Sequence, residues 1–178
     1  STDRGATWHP STPANQYKSV SCLTQDTRSG HTNVWYYGTG EAYGTSASET
    51  GSFYLGNGIY KSTDNGASWT ILPSTASSSL TTLDTWGDII WNIVADPHDT
   101  VNDIVYAASY GAIYRSANGG TTWTSVLGTF GDSYFTDVAM TKSGVVYATL
   151  SSDATTKGIF RSADGINYTN ITPAGFGS

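Results

Sequence analysis

An eight-residue pattern recurs along this chain and constrains its fold more than any other feature. Ser62-Thr63-Asp64-Asn65-Gly66-Ala67-Ser68-Trp69 returns as Ser116-Ala117-Asn118-Gly119-Gly120-Thr121-Thr122-Trp123, and the chain opens with Ser1-Thr2-Asp3-Arg4-Gly5-Ala6-Thr7-Trp8. A fourth copy, Ser162-Ala163-Asp164-Gly165-Ile166-Asn167-Tyr168, is one residue shorter and ends in Tyr. The Asp or Asn positions lie 61, 54 and 46 residues apart (3 to 64, 64 to 118, 118 to 164). Spacings of this size mark repeated supersecondary units.

The residue types follow from the needs of a tight hairpin. An Asp or Asn side chain accepts hydrogen bonds from the N–H groups of its own turn. Gly66 and Gly120, like Gly5, can take the positive φ the turn requires. The next Ser or Thr begins the return strand, and the Trp lays a large apolar ring over the turn. A short apolar strand leads into each internal copy: Gly58-Ile59-Tyr60-Lys61, Ala112-Ile113-Tyr114-Arg115 and Gly158-Ile159-Phe160-Arg161. The basic residue recurs at one register, so Lys61, Arg115 and Arg161 read as parts of the repeat. Between copies there is room for two further strands. The inner candidates are 17–24, 89–95 and 135–141, and their neighbours are 34–38, 104–109 and 145–150. Four strands per repeat describe a propeller blade.

The pattern S-x-D-x-G-x-T/S-W resembles the Asp-box (BNR) repeat of sialidases, sortilin-type receptors, xyloglucan-cleaving glycoside hydrolases and a photosystem assembly factor. Val34-Trp35-Tyr36-Tyr37-Gly38-Thr39-Gly40-Glu41 followed by Gly56-Asn57-Gly58-Ile59-Tyr60-Lys61-Ser62 is similar to sortilin-like bacterial surface proteins that use type IX secretion. The resemblance covers nearly the whole chain and implies an all-β propeller of four-stranded antiparallel blades with Asp-box hairpins. About three blades are expected (9–69, 70–123 and 124–168, with an incomplete blade at each end), as a fragment of a larger propeller. The chain opens inside a box, so a strand from elsewhere is expected to complete that hairpin. The box itself says little about activity, because unrelated functions share it.

Composition narrows the partners. There are 12 Tyr and 6 Trp among 178 residues, and only 12% of residues are charged, against about 25% in an average domain. No helical periodicity of useful length is present. The net charge is −6 with a pI near 4.7, and no basic patch offers itself to phosphates, so nucleic acid is not an expected partner. The apolar runs are strand-sized, and no membrane insertion is expected. Few charges with abundant Ser, Thr, Tyr and Trp point to a secreted or cell-surface protein. Cys22 is the single cysteine. It alternates with polar neighbours as a core-facing strand residue does, and is read as buried and inert.

In an up-and-down blade the boxes share a face of the disc with the first-to-second loops, 25–33, 96–103 and 142–144. The opposite face collects 39–57 and the inter-blade stretches. Those stretches carry Glu41, Tyr43, Tyr54, Trp86 and Tyr134, aromatics beside a carboxylate, which suit stacking on sugar rings and hydrogen bonding to hydroxyls. The alternative is that these aromatics fold back to cap the blades. A sialidase would need a cluster of arginines, but Arg4, Arg115 and Arg161 belong to the repeat and only Arg28 is unassigned. Another glycosidase would need two facing carboxyl groups. Propeller xyloglucanases are similar in placing an acidic residue just after the strand that precedes Glu41, with Asp88 or Asp137 as its candidate partner. No cofactor is expected. His9, His31 and His98 lack zinc-ligand spacing, and Asp96-Pro97-His98-Asp99 with Asn102-Asp103 reads as a polar turn rather than a calcium loop. Asn167-Tyr168-Thr169 and Asn170-Ile171-Thr172 match N-glycosylation sequons that carry no weight in most bacteria. Asp99-Thr100-Val101 resembles a bacterial O-glycosylation acceptor. The expected role is recognition of a glycan or an extracellular protein through one propeller face. The alternatives are a glycoside hydrolase and a structural spacer in a large adhesin.

Overall fold

The computed structural model describes residues 1, 3–11, 19–42, 53–151 and 155–175. Three four-stranded antiparallel sheets follow one another along the chain. The first joins β1 (Val20–Gln25), β2 (Trp35–Thr39), β5 (Ile59–Ser62) and β6 (Thr70–Ile71), and the small hairpin β3 (Glu41–Ala42) and β4 (Phe53–Tyr54) is inserted between β2 and β5. The second contains β7 (Ile90–Ala95), β8 (Val105–Ser109), β9 (Ala112–Ser116) and β10 (Thr124–Gly128). The third contains β11 (Thr136–Met140), β12 (Val146–Leu150), β13 (Gly158–Ser162) and β14 (Thr169–Asn170). Each sheet is a meander whose strand order follows the sequence, the arrangement of a propeller blade. The innermost strands pack side by side: β1 and β2 on β7, and β11 on β7 and β8.

The blades are held by apolar layers between sheets. Tyr36, Ile59, Ile90, Ile93, Val105 and Ala107 fill the layer between the first two blades. Ile104, Tyr106, Ile113, Val138, Val146, Leu150 and Phe160 fill the next. Each buried Ile, Val or Leu contributes roughly 1.5–3 kcal/mol, so these layers dominate the cohesion of the stack. Gly38 makes close packing possible at the first layer. A Cβ there would fall 2.5 Å from Ile90 Cγ2 and 2.8 Å from Cys22 Sγ. Gly40 has the same role toward the backbone, since a Cβ would sit 2.0 Å from the Asp88 carbonyl. Both glycines make room for the approach of the second blade. Cys22 is half-buried against the first layer, and desolvation pushes its thiol up to about 11.

The repeated turns close as their residue types require. Asp64 Oδ1 accepts from Ser68 N at 2.9 Å and from Ser62 Oγ at 2.7 Å, while Ser62 Oγ accepts from Gly66 N at 2.8 Å. Asp3 repeats this with Thr7, Ser1 and Gly5. Asn118 repeats it with Thr122 and Ser116, and its Nδ2 donates to Thr122 Oγ1 at 2.9 Å. In the shorter fourth turn Asp164 accepts from Ile166 N and Asn167 N. Trp8 and Trp123 each donate Nε1 to a carbonyl of their own turn, Gly5 and Gly120, at 3.1 Å. Trp69 instead meets Tyr37 edge-on at 4.7 Å, and Tyr37 stacks on Tyr60.

Candidate functional site

The turns and the first-to-second loops share one face. Asn65 N donates to Asn33 O, and Gly119 N donates to Asp103 O. On this face Arg28 clips the first blade to the second. It is 8% exposed. Its Nε donates to Asp26 Oδ1 at 3.0 Å, its Nη2 to Asp103 Oδ1 at 2.7 Å, and its Nη1 to the carbonyls of Asp99 and Asn102. The hydrogen bonds to Asp26, more than any other influence, raise its already high pKa further. Asp26, His31 and Asp103 lie close enough to share a metal ion, but Arg28 already supplies the positive charge for both carboxylates.

Beside the clip runs a second inter-blade contact that explains the recurring basic residue. Tyr36 reaches Gly119 of the second blade's turn, Lys61 Nζ lies over the Tyr36 ring at 5.2 Å, and Lys61 donates to Gly119 O at 3.2 Å. One blade further on, Tyr106 abuts Gly165 and Arg115 lies over the Tyr106 ring at 6.0 Å, with Nε donating to the Tyr106 hydroxyl at 3.2 Å. A Cβ on Gly165 would fall 1.8 Å from that hydroxyl. The tyrosine and its cation form a staple onto the glycine of the following turn.

The opposite face carries the best candidate for a ligand. A cleft of about 300 Å³ is lined by Ser19, Val20, Ser21, Glu41 and Trp91. Glu41 is half-buried and accepts from Ser19 Oγ at 3.3 Å. Its cross-strand partner in the small hairpin is Tyr54, an exposed ring, so both side chains leave the hairpin on the same side. Trp91 donates Nε1 to the Tyr134 carbonyl at 2.9 Å and tilts against Phe135 at 5.2 Å. Tyr134 is itself part-exposed over Tyr110. Tyr43 lies outside the described residues.

Two bulges build this cleft. The β1–β2 register shifts between Val20 and Cys22, and the β7–β8 register shifts between Ile90 and Asn92. The residues left over are Ser21 and Trp91, and Ser21 Oγ donates to the Ile90 carbonyl. Bulges re-aim side chains and gather near functional sites. Sequence reading missed Trp91 and Ser21, because a bulge breaks the alternation by which a strand residue is placed.

Two other candidates are drawn into the framework. Asp88 is fully buried, and its carboxylate accepts from Asp84 N and Thr85 N at 2.8 Å and from Thr85 Oγ1 at 3.2 Å. It closes the turn that leads into β7 and is no catalytic partner for Glu41. Trp86 stacks on Tyr114 at 4.2 Å and meets Trp123 edge-on at 5.4 Å. In the first blade Tyr37 takes that position opposite Tyr60. In the second blade the residue opposite Tyr114 is Ala107, and Trp86 swings in from the inter-blade segment to fill the space. It is a packing residue rather than a ligand platform. Asp137 is exposed on β11, accepting from Asn92 Nδ2 at 2.7 Å and from Val138 N at 2.8 Å.

No family model and no curated protein sequence matches the chain. Solved structures do. A GH74 enzyme from Niastella koreensis aligns with a TM-score of 0.53 at 18% identity, covering 90% of this chain and 31% of that one. The GH74 xyloglucanase from Xanthomonas campestris gives 0.50 at 15% identity, covering 89% and 22%. YCF48 from Cyanidioschyzon merolae gives 0.50 at 13%, covering 88% and 38%. The chain therefore spans less than two fifths of each of these three structures. The likeness is architectural, and it makes this chain three four-stranded blades of the β-propeller fold.

Proposed function

We propose that the protein is an extracellular recognition module of the Asp-box propeller kind, which binds a glycan at the cleft formed by Ser19, Ser21, Glu41 and Trp91. The observation that carries this reading is the meeting of the Trp91 indole and the Ser21 hydroxyl, set by bulges on adjacent inner strands, with the Glu41 carboxylate of the small hairpin in one cleft. A sugar ring can stack its C–H face on the indole while its hydroxyls donate to Glu41. Exposed Tyr54 and Tyr134 extend the apolar surface along the same face. Likeness to glycoside-hydrolase propellers supports a carbohydrate ligand, and the commitment of Asp88 to its turn favours binding over hydrolysis.

We place these blades within a larger propeller. Tyr147 and Arg161 pair across β12 and β13 at the registers of Tyr106 with Arg115. Both are exposed, a staple presented to a following blade. The low charge content supports a secreted or cell-surface setting. A glycan array and a polysaccharide-hydrolysis screen on the full-length protein test the reading. Binding without turnover is expected, weakened about tenfold or more by Glu41→Gln or Trp91→Ala, the scale of one lost stacking or charge-assisted contact. Turnover that disappears in Glu41→Gln would establish a hydrolase instead.

A further inference from the structure

We propose that the pocket between the second and third blades, on the face that bears the turns, binds a guanidinium group presented as an arginine side chain. This inference is independent of the glycan cleft on the opposite face. The pocket has a volume of about 400 Å³, and its walls include Asp96, His98, Asp99, Tyr106, Arg115 and Asp164.

Comparison of the two junctions carries the argument. Asp26 N bonds to Val34 O and Arg28 N to Asp26 Oδ1; Asp96 N bonds to Ile104 O and His98 N to Asp96 Oδ1. Asp96 is thus the counterpart of Asp26, and His98 the counterpart of Arg28. At the first junction the Arg28 guanidinium fills the space between the blades and neutralises the buried carboxylate. At the second junction no described residue builds in such a cation. The His98 ring lies against Gly144, the shortened loop of the third blade, and a Cβ on Gly144 would come 3.1 Å from Nδ1. Space that a guanidinium occupies at one junction is open at the next.

Charge points the same way. Asp26 and Asp103 are matched at the first junction by Arg28 and Lys61. At the second, Arg115 stands alone among the lining residues against the carboxylates of Asp96, Asp99 and Asp164. Asp99 and Asp164 are already held by donors of their own turns. Asp96 is only 6% exposed, and its hydrogen bonds from His98 N and Asp99 N both end on Oδ1. Among the described residues nothing donates to Oδ2, and no cation lies within salt-bridge distance. Oδ2 is not sealed from solvent, so a cation entering the pocket can reach this otherwise buried carboxylate. A planar guanidinium suits it better than a spherical ion, because its fork can direct N–H groups at Oδ2. Arg115 does not forbid this, since Lys61 coexists with Arg28 at the first junction.

The test uses the full-length protein and calorimetric titration with N-acetyl-arginine amide, with an arginine-containing tripeptide, with N-acetyl-lysine amide and with calcium chloride. Saturable binding of both arginine probes below about 10 mM is expected, the strength that charge-assisted hydrogen bonds to one carboxylate support. Tighter binding of the tripeptide than of the amide would identify a protein partner, and equal binding a free small molecule. Asp96→Asn keeps the Oδ1 acceptor that closes the turn and should weaken binding at least tenfold. His98→Arg should place an internal guanidinium in the pocket, abolish binding and raise the thermal midpoint. Absence of arginine binding, equal binding to Asp96→Asn, or preference for lysine or calcium would each overturn the proposal.

Discussion

Gly165 offers a sharp test of how the blades are joined. Its φ is +71°, in the left-handed region, where an L-residue costs about 1–2 kcal/mol. Any Cβ would also collide with the Tyr106 hydroxyl at 1.8 Å and with Cζ at 2.9 Å. Tyr106 is 2% exposed within the layer between the second and third blades, so it cannot yield without disturbing its neighbours. Overpacking of this kind costs about 1–3 kcal/mol, and Gly165→Ala should therefore lose about 2–5 kcal/mol in all. Gly131 isolates the first contribution. Its φ is +84° and a Cβ would meet nothing within 4 Å, so Gly131→Ala should lose only about 1–2 kcal/mol. Tyr106→Phe removes the colliding oxygen and one hydrogen bond from Arg115, for about 1 kcal/mol alone. Combined with Gly165→Ala, it should recover about 1–2 kcal/mol of the steric loss. Urea denaturation of the four variants, followed by tryptophan fluorescence, completes the cycle. Equal losses at Gly165 and Gly131, together with strict additivity of Gly165→Ala and Tyr106→Phe, would refute the staple.

Arg28→Met should destabilise by about 3–5 kcal/mol, because it strands the buried Asp26 carboxylate, and Arg28→Lys should restore only part of this for want of the fork; thermal denaturation reads both. The hydrogen bonds from Ser68, above all from its side chain, hold Asp64 down to about 2, against 3.8 when unfolded. A depressed folded pKa contributes stability that is present above about pH 4 and fades as the pH falls toward 2. The urea midpoint should drop across that window, and Asp64→Asn should flatten the drop, since Asn118 already closes an equivalent turn. The Cys22 thiol, pushed up to about 11 by desolvation, should react with iodoacetamide at pH 8 far more slowly in the native protein than in urea. Trp86→Ala should lower the denaturation midpoint, as expected of a core aromatic, while leaving ligand binding at the Glu41 cleft unchanged.

The architecture was legible because its signal is repeated. Four copies of one turn, the three internal ones each preceded by a short apolar strand, predict the strands and their order, and the sheets form as meanders in that order. What could not be read was anything that depends on a comparison between blades. Arg28 and His98 occupy one position in successive repeats, but the equivalence appears only when the turn hydrogen bonds of Asp26 and Asp96 are set side by side. In the sequence Trp86 reads as an exposed loop aromatic. Its fate was decided by Ala107, a small residue 21 positions away, whose side chain leaves Tyr114 uncovered. Trp91 reads as one more strand residue, since alternation cannot reveal a bulge before the partner register is known.

These misses share a physical cause that bears on where function sits in such a fold. A repeat fixes the backbone, and the first two blades must then satisfy the same set of buried groups: a carboxylate at the first loop, a ring opposite the third-strand aromatic, a cation over the inner tyrosine. Where a blade fills the set from its own residues, as Arg28, Tyr37 and Lys61 do in the first, the junction is closed and inert. Where the next blade changes one member, another residue must supply the missing group, and Trp86 does so for the ring that Ala107 omits. For the cation that His98 omits, no described residue does, and the Asp96 carboxylate is left facing open space. Departures from the repeat that the chain itself repairs are packing. The departure it leaves unrepaired is where an outside ligand can complete the set.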